Sequence, residues 1–205
     1  YNATITFDNY VLFPGGYGQI ADYVAKGLTI QLNHVVQLVD WGETGVVVTC
    51  ANGAKITADR IIVTLPLGVL QAGGVTFTPA LPKPKAKAIS TLGMGLLNKH
   101  FLRFDKAYWP QDADWHELMK VQPAKWSQWV SFSKAAGKPV LLGFTGADTA
   151  LAVEAMDDRA ILAEAMAAVR AMFGSSVPNP VAHQFTRWSK DPFALGAYSF
   201  NAVGS

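Results

Sequence analysis

Polar and apolar positions change their period several times along this chain. Within 16-GYGQIADYVAKG-27, Ile20, Tyr23 and Val24 recur at helical spacing, and Gly27 supplies a stop. Three β runs are predicted next: 28-LTIQLN-33, 34-HVVQLVDW-41 and 45-GVVVTCA-51. Asn52-Gly53 then predicts a type I′ turn closing a hairpin onto 54-AKITA-58. The run 60-RIIVTLP-66 is apolar on both faces, the pattern of a buried strand.

The pattern shifts after Gly73-Gly74. Residues 78-TPALPKPKAKAIS-90 predict a loop entering a short helix, and 105-DKAYWPQDADWHELMK-120 reads as loop. Strands are predicted over 95-GLLNKHFLRF-104, 126-WSQWVSF-132 and 139-PVLLGFTG-146, with Gly137 between the last two. Asp157 or Asp158 caps a helix over 159-RAILAEAMAAVRAMF-173, where Ile161, Leu162, Ala165, Val169 and Met172 form one stripe and Gly174 ends it. The tail, 183-HQFTRWSKDPFALGAYSF-200, reads as strand, turn at Asp191-Pro192, then strand. These elements predict an α+β fold: a mixed or antiparallel sheet with flanking helices, plus a β-hairpin portion, the two zones dividing near residue 75.

Composition narrows the function classes. Half of the 205 residues are hydrophobic and 16% are charged, against about 25% in an average soluble domain. So low a charge density hints that part of the surface is covered by something else. The net charge is +2 with no basic run, so there is no electrostatic footprint for nucleic acid. The single cysteine, Cys50, excludes an internal disulfide and a cysteine-based zinc site. No apolar stretch reaches the roughly 18 to 20 residues of a membrane-spanning helix, so no membrane partner is expected. The chain begins at Tyr1 with no leader pattern and stops at 200-FNAVGS-205, as a piece of a longer protein would; the compartment stays open.

Candidate chemistry is sparse. Gly16-Tyr17-Gly18-Gln19-Ile20-Ala21 fits the relaxed dinucleotide fingerprint, with Asp40 at a plausible ribose distance, but Pro14 and Gly15 interrupt the approach and a glycine-rich turn explains it equally. There is no GxSxG elbow, and His34, His100, His116 and His183 are scattered, so no metal site is expected. Trp188 and Tyr198 flank a turn that could bring both rings to one site able to hold an amine by cation–π attraction; core packing is the alternative. In the strand over 95–104, Leu97, Lys99, Phe101 and Arg103 share a face, and an ammonium between a leucine and a phenylalanine sits where a covered surface is expected. It is either an edge-strand lysine reaching into water or a cation held in a half-buried pocket.

Jointly, 28-LTIQLNHVV-36, 59-DRIIVTLPLGVL-70, 77-FTPALPKPKAKAISTLGMGLLNKHFLRF-104, 173-FGSSVPNP-180 and 186-TRWSKDPFALGAYSF-200 resemble the flavin-dependent amine oxidase family, especially its polyamine oxidases and lysine-specific histone demethylases. The resemblance spans nearly the whole chain. It implies oxidation of an amine C–N bond by hydride transfer to FAD, the imine being hydrolysed and dioxygen reoxidising the flavin to give hydrogen peroxide. It implies that Lys99 is catalytic and holds a water against the flavin, that Trp188 lies beside the flavin ring and contacts substrate, that Tyr198 forms one wall of the amine slot, and that Val36 contacts the cofactor through its backbone. Ala197 stands where covalently flavinylated relatives carry cysteine, which implies non-covalent FAD. In family terms 1–75 is a middle part of the FAD-binding domain, 76–187 the substrate-binding domain and 188–205 a return towards the FAD domain, so that the missing N- and C-terminal parts of that domain are partners of this chain. The chain alone is then expected to bind FAD weakly or not at all and to be inactive. The partner in catalysis is a small-molecule amine. An amino-acid oxidase would instead need a carboxylate anchor, for which Arg103 and Arg187 are the arginines nearest the matching blocks, and a non-catalytic binding module would keep the fold without redox function. Asp112, Asp114, Glu117, Asp148 and Glu154 could serve a polyamine, although solvation at the surface is the expected role for each.

Overall fold

The computed structural model describes residues 13, 15–119 and 125–205. Helix α1 (Gly18–Ala25) ends at the left-handed Gly27. Strands β1 (Val36–Gly42) and β2 (Gly45–Cys50) form an antiparallel hairpin extended by β3 (Lys55–Ala58). After helix α2 (Leu67–Gln71), strand β4 (Thr76–Thr78) pairs parallel with β1 to complete a mixed four-stranded sheet of order β3-β2-β1-β4. Helix α3 (Lys83–Thr91) follows, with Pro84 in its first turn, where the missing N–H costs nothing.

Strands β5 (Gly93–Gly95) and β6 (Leu97–Arg103) come next, then β7 (Trp115–Glu117), β8 (Gln128–Ser131), helix α4 (Ser133–Ala136) and β9 (Val140–Gly146). Helix α5 (Ala147–Glu154) leads into α6 (Asp158–Phe173), whose N-terminus is capped by the Asp157 carboxylate accepting the Ala160 N–H at 2.7 Å. Strand β10 (Ala182–Phe185), a 3₁₀ turn at Trp188–Lys190 and strand β11 (Tyr198–Phe200) close the chain. A five-stranded sheet has the order β10-β6-β9-β8-β7, and β11 pairs with β5 as a two-stranded ribbon. The fold is α+β, as the strand and helix patterns imply.

The chain divides into two compact units. One holds the described residues of Tyr1–Ile30 with His100–Phe144 and Leu162–Gln184. Its core is aromatic: Phe104, Trp109, Trp126 and Trp129 are all buried. Each indole N–H finds an acceptor, Trp109 in the Ser131 hydroxyl (2.8 Å), Trp129 in the Trp126 carbonyl (3.0 Å) and Trp126 in the Glu164 carboxylate (3.3 Å). Gly143 lies opposite Trp129 in the β8–β9 ladder, and a Cβ there would come within 2.9 Å of the indole. The other unit holds Gln31–Lys99, Thr145–Ile161 and Phe185–Ser205. Val39, Val46 and Cys50 form the buried side of its four-stranded sheet, and the Gln71 side chain donates to the Ile89 and Leu92 carbonyls, tying α2 to α3.

Several sequence expectations fail here for identifiable reasons. No strand forms over 28–33 or 60–66; Leu28, Ile30, Leu32 and Ile62 are exposed, and an apolar run without a hydrogen-bonding partner strand has no ladder to join. The turn after β2 is not type I′. Asn52 keeps negative φ and its side-chain carbonyl accepts the Ala54 N–H (3.0 Å), while Gly53 alone takes the left-handed position and donates to the Cys50 carbonyl (2.9 Å). That is a three-residue loop closed by a glycine bulge. Strands β4 and β7, too short to show a period, and helix α5 are absent from the sequence reading.

The largest correction concerns β6. Its burial alternates opposite to expectation: Asn98, His100 and Leu102 are buried, followed by Phe104, whereas Leu97, Lys99 and Arg103 are exposed. The polar Asn98 and His100 point inwards because the interior supplies partners, a hydrogen bond for Asn98 and the edge of the Trp126 ring, 4.6 Å between centroids, for His100. Lys99 is therefore on the exposed face, not in a half-buried pocket.

Candidate functional site

The site is built where the chain returns from β10 onto the start of β6. The Lys99 N–H donates to the Thr186 hydroxyl (2.8 Å) and the Thr186 N–H to the Lys99 carbonyl (3.0 Å). One step along, the Trp188 N–H donates to the side-chain carbonyl of Asn98 at 3.3 Å. Trp188 thus sits in a 3₁₀ turn rather than a strand, and the residue is 39% exposed. The loop then doubles back: Gly196 donates to the Trp188 carbonyl (3.0 Å) and Ala197 to the Gly95 carbonyl (2.8 Å), which sets Tyr198 opposite Gly95. These bonds bring the strand bearing Lys99, the turn bearing Trp188 and the strand bearing Tyr198 together. Val36, by contrast, belongs to the four-stranded sheet, where it pairs with Cys50.

Three glycines of the sequence blocks explain their presence by contact. A Cβ on Gly95 would lie 2.5 Å from the Tyr198 ring, and one on Gly93 would collide with the Phe200 ring, so both rings lie across bare backbone. A Cβ on Gly68, the glycine of the LPLG stretch, would meet the Ala194 carbonyl oxygen at 2.8 Å and the backbone of Leu195. Helix α2 therefore abuts the loop that delivers Tyr198. Beside the paired rings, whose centroids are 6.3 Å apart, runs a cleft of about 360 Å³ lined by Met94, Leu96, Leu151, Tyr198, Phe200 and Asp148.

Beneath this surface lies a polar network that sequence reasoning missed. Glu154 is 3% exposed, not a solvated surface acid. Its carboxylate accepts from the Asn98 amide (2.6 Å), the Ser189 N–H (3.2 Å) and the Ser189 hydroxyl. The Lys190 ammonium donates to its main-chain carbonyl at 2.6 Å. The signal was available: Ala150, Val153 and Glu154 share the buried stripe of α5 at helical spacing, and a carboxylate on such a stripe needs buried donors. Arg187 is engaged elsewhere, with Asp158 at 2.5 Å and the Met156 carbonyl at 3.2 Å.

Residues 1–205 match the family model described as flavin containing amine oxidoreductase. The chain belongs to this family. A probable polyamine oxidase 4 from Arabidopsis thaliana is 37% identical over 92% of this chain and 38% of its own length. Lysine-specific histone demethylase 2 from Homo sapiens is 34% identical over 96% of the chain and 25% of its length. The chain thus spans about two fifths or less of these flavin amine oxidoreductase relatives. In fold, it superposes on a solved putrescine oxidase bound to putrescine with a TM-score of 0.75 at 20% identity, covering 90% of this chain and 41% of that one. Among the described residues, no helix is long and apolar enough to cross a membrane.

Proposed function

We propose that this chain is the amine-handling part of an FAD-dependent amine oxidase, acting on the C–N bond of a small amine, with polyamines the favoured class. In this reading 1–75 is a middle part of the FAD-binding domain, 76–187 the substrate-binding domain and 188–205 the return to the FAD domain. FAD, held without a covalent bond, supplies the two-electron acceptor for the amine and is restored by dioxygen, which leaves as hydrogen peroxide.

The residues present fit such a group. A flat ring system needs an exposed aromatic surface, and Trp188 offers one; reduced flavin carries negative charge, and Lys99 offers a cation on the adjoining strand. Lys99 Nζ would hold a water by donation and favour negative charge developing nearby. Val36 would bind the nucleotide through its backbone. Tyr198 and Phe200, laid over glycine backbone, would form an apolar wall that favours the neutral amine over its ammonium, the form whose nitrogen lone pair is free. Product imine then needs water alone for hydrolysis, and no protein nucleophile is called for.

The observation that carries this reading is the joining of two sequence blocks, that of Lys99 and that of Trp188 and Tyr198, by hydrogen bonds of main-chain N–H groups to the Thr186 hydroxyl and the Asn98 side chain and by the β5–β11 pairing. An amino-acid oxidase is less well supported, because Arg187, one candidate for a carboxylate anchor, is paired with Asp158. The test is anaerobic mixing of the full-length, FAD-loaded protein with putrescine, spermidine or spermine, and separately with neutral amino acids. Bleaching of the yellow flavin band by amines is expected. Bleaching by amino acids alone, or by neither, would contradict it.

A further inference from the structure

We propose that Glu154 is a positioning residue whose buried carboxylate sets the register of Lys99 and Trp188. The proposal rests on the roles given to those two residues above, which leave Glu154 unassigned.

The bonds run in one direction. The Lys99 N–H donates to the Thr186 hydroxyl, which donates to the Asn98 side-chain carbonyl at 3.0 Å; the Asn98 amide N–H then donates to Glu154. A second branch runs from Ser189, next to Trp188, by main chain and hydroxyl into the same carboxylate. Glu154 is therefore the common terminal acceptor of strand β6 and of the turn Trp188–Lys190. Such chains strengthen cooperatively in a low-dielectric interior, and their geometry depends on the end group. The orientation of Asn98 is also fixed, because two donors face its oxygen and a carboxylate faces its nitrogen. Since neighbours on a strand point to opposite faces, clamping Asn98 inwards directs Lys99 outwards. An apolar residue at 154 would leave the buried Asn98 amide and the part-buried Ser189 donors unpaired, with the two segments held only by the bonds of Lys99 to Thr186 and of Trp188 to Asn98.

The experiment uses the full-length protein with Glu154→Leu and Glu154→Gln. Glutamine keeps an acceptor for Asn98 and can donate to the Ser189 hydroxyl, so it should rescue. Amide hydrogen exchange is expected to rise at least tenfold at Lys99 and Trp188 in Glu154→Leu, with the amides of β2 unchanged and Glu154→Gln within about threefold of the parent. In the FAD-loaded protein, Glu154→Leu should slow flavin reoxidation by dioxygen about tenfold, and less than twofold further in a Lys99→Met background. Uniform exchange across the protein, additive losses with Lys99→Met, or no rescue by glutamine would overturn the proposal. Should Glu154→Leu fail to fold, Ser189→Ala removes one donor; a threefold rise in exchange at Trp188 supports the role and an unchanged rate defeats it. If Lys99→Met itself leaves reoxidation unaltered, the oxidase reading falls while the exchange measurements still decide the part played by Glu154.

Discussion

Asn98 shows how one side chain can fix what its neighbour does. Its amide donates to a buried carboxylate and its carbonyl accepts from a hydroxyl and a main-chain N–H, which satisfies both ends of the group without water. Asn98→Asp would set carboxylate against carboxylate with no room to solvate either. That change should cost about 3 kcal/mol, since a charged buried group loses its partner. Chemical denaturation would register it as a lower midpoint with an unchanged slope. An unaltered midpoint would mean that water reaches the pair. The residue scale is also where sequence reading fell furthest short. Lys99, Trp188 and Tyr198 stand out by type and spacing, but Glu154 looks like any surface acid until its helix is seen to turn that position inwards. The alternation of β6 leaves Lys99 either in a half-buried pocket or reaching into water, and only the inward partners of Asn98 and His100 decide for the exposed face.

At the scale of elements, close contacts between backbone segments explain why the sequence blocks hold the residues they do. Helix α2 approaches the loop at Ala194 and Leu195 so closely that Gly68 has no space for a methyl group, and Leu195 itself is held at a left-handed φ of 51°. Because backbone meets backbone, neither side can yield cheaply. Gly68→Ala should therefore destabilise the protein by about 2 kcal/mol, within the range of overpacked cores. Thermal unfolding would detect this; a neutral result would show that α2 can withdraw from the loop. In the first unit, strand β7 presents His116 to the edge of the Phe173 ring, 5.1 Å between centroids. Burial lowers its pKa below the ordinary 6.5, against the opposing pull of Asp112 and Asp114. The unfolded ring thus takes up a proton near 6.5 while the folded ring stays neutral to lower pH. The stability this supports is complete above 6.5 and is lost as the pH falls below it through the folded value. Denaturation midpoints measured across this window should decline less steeply for His116→Gln than for the parent; equal slopes would rule out His116 as the titrating group.

Over the whole molecule, the sequence made the α+β class legible because its longer elements carry clear periods. The α6 stripe runs Ile161, Ala165, Val169 with all three buried, β2 and β9 fall within the predicted runs, and β1 exceeds its run by Gly42 alone. What stayed hidden was pairing. Nothing in 74-GVTFTP-79 announces the parallel partner of β1, and nothing local tells that 60–66 stays unpaired. The blocks that identify the family are separated in sequence yet meet by contact, LPLG against the Tyr198 loop and the strand of Lys99 against the turn of Trp188. Their meeting exposes aromatic rings beside the strand of Lys99, and the central claim is that this surface serves a flavin through Lys99. The direct test is stopped-flow reoxidation by dioxygen of the reduced, FAD-loaded full-length protein carrying Lys99→Met. Loss of a preorganised charge beside the reacting group predicts a rate about a hundredfold lower, with anaerobic reduction by amine changed far less. Reoxidation at the parent rate would contradict the account.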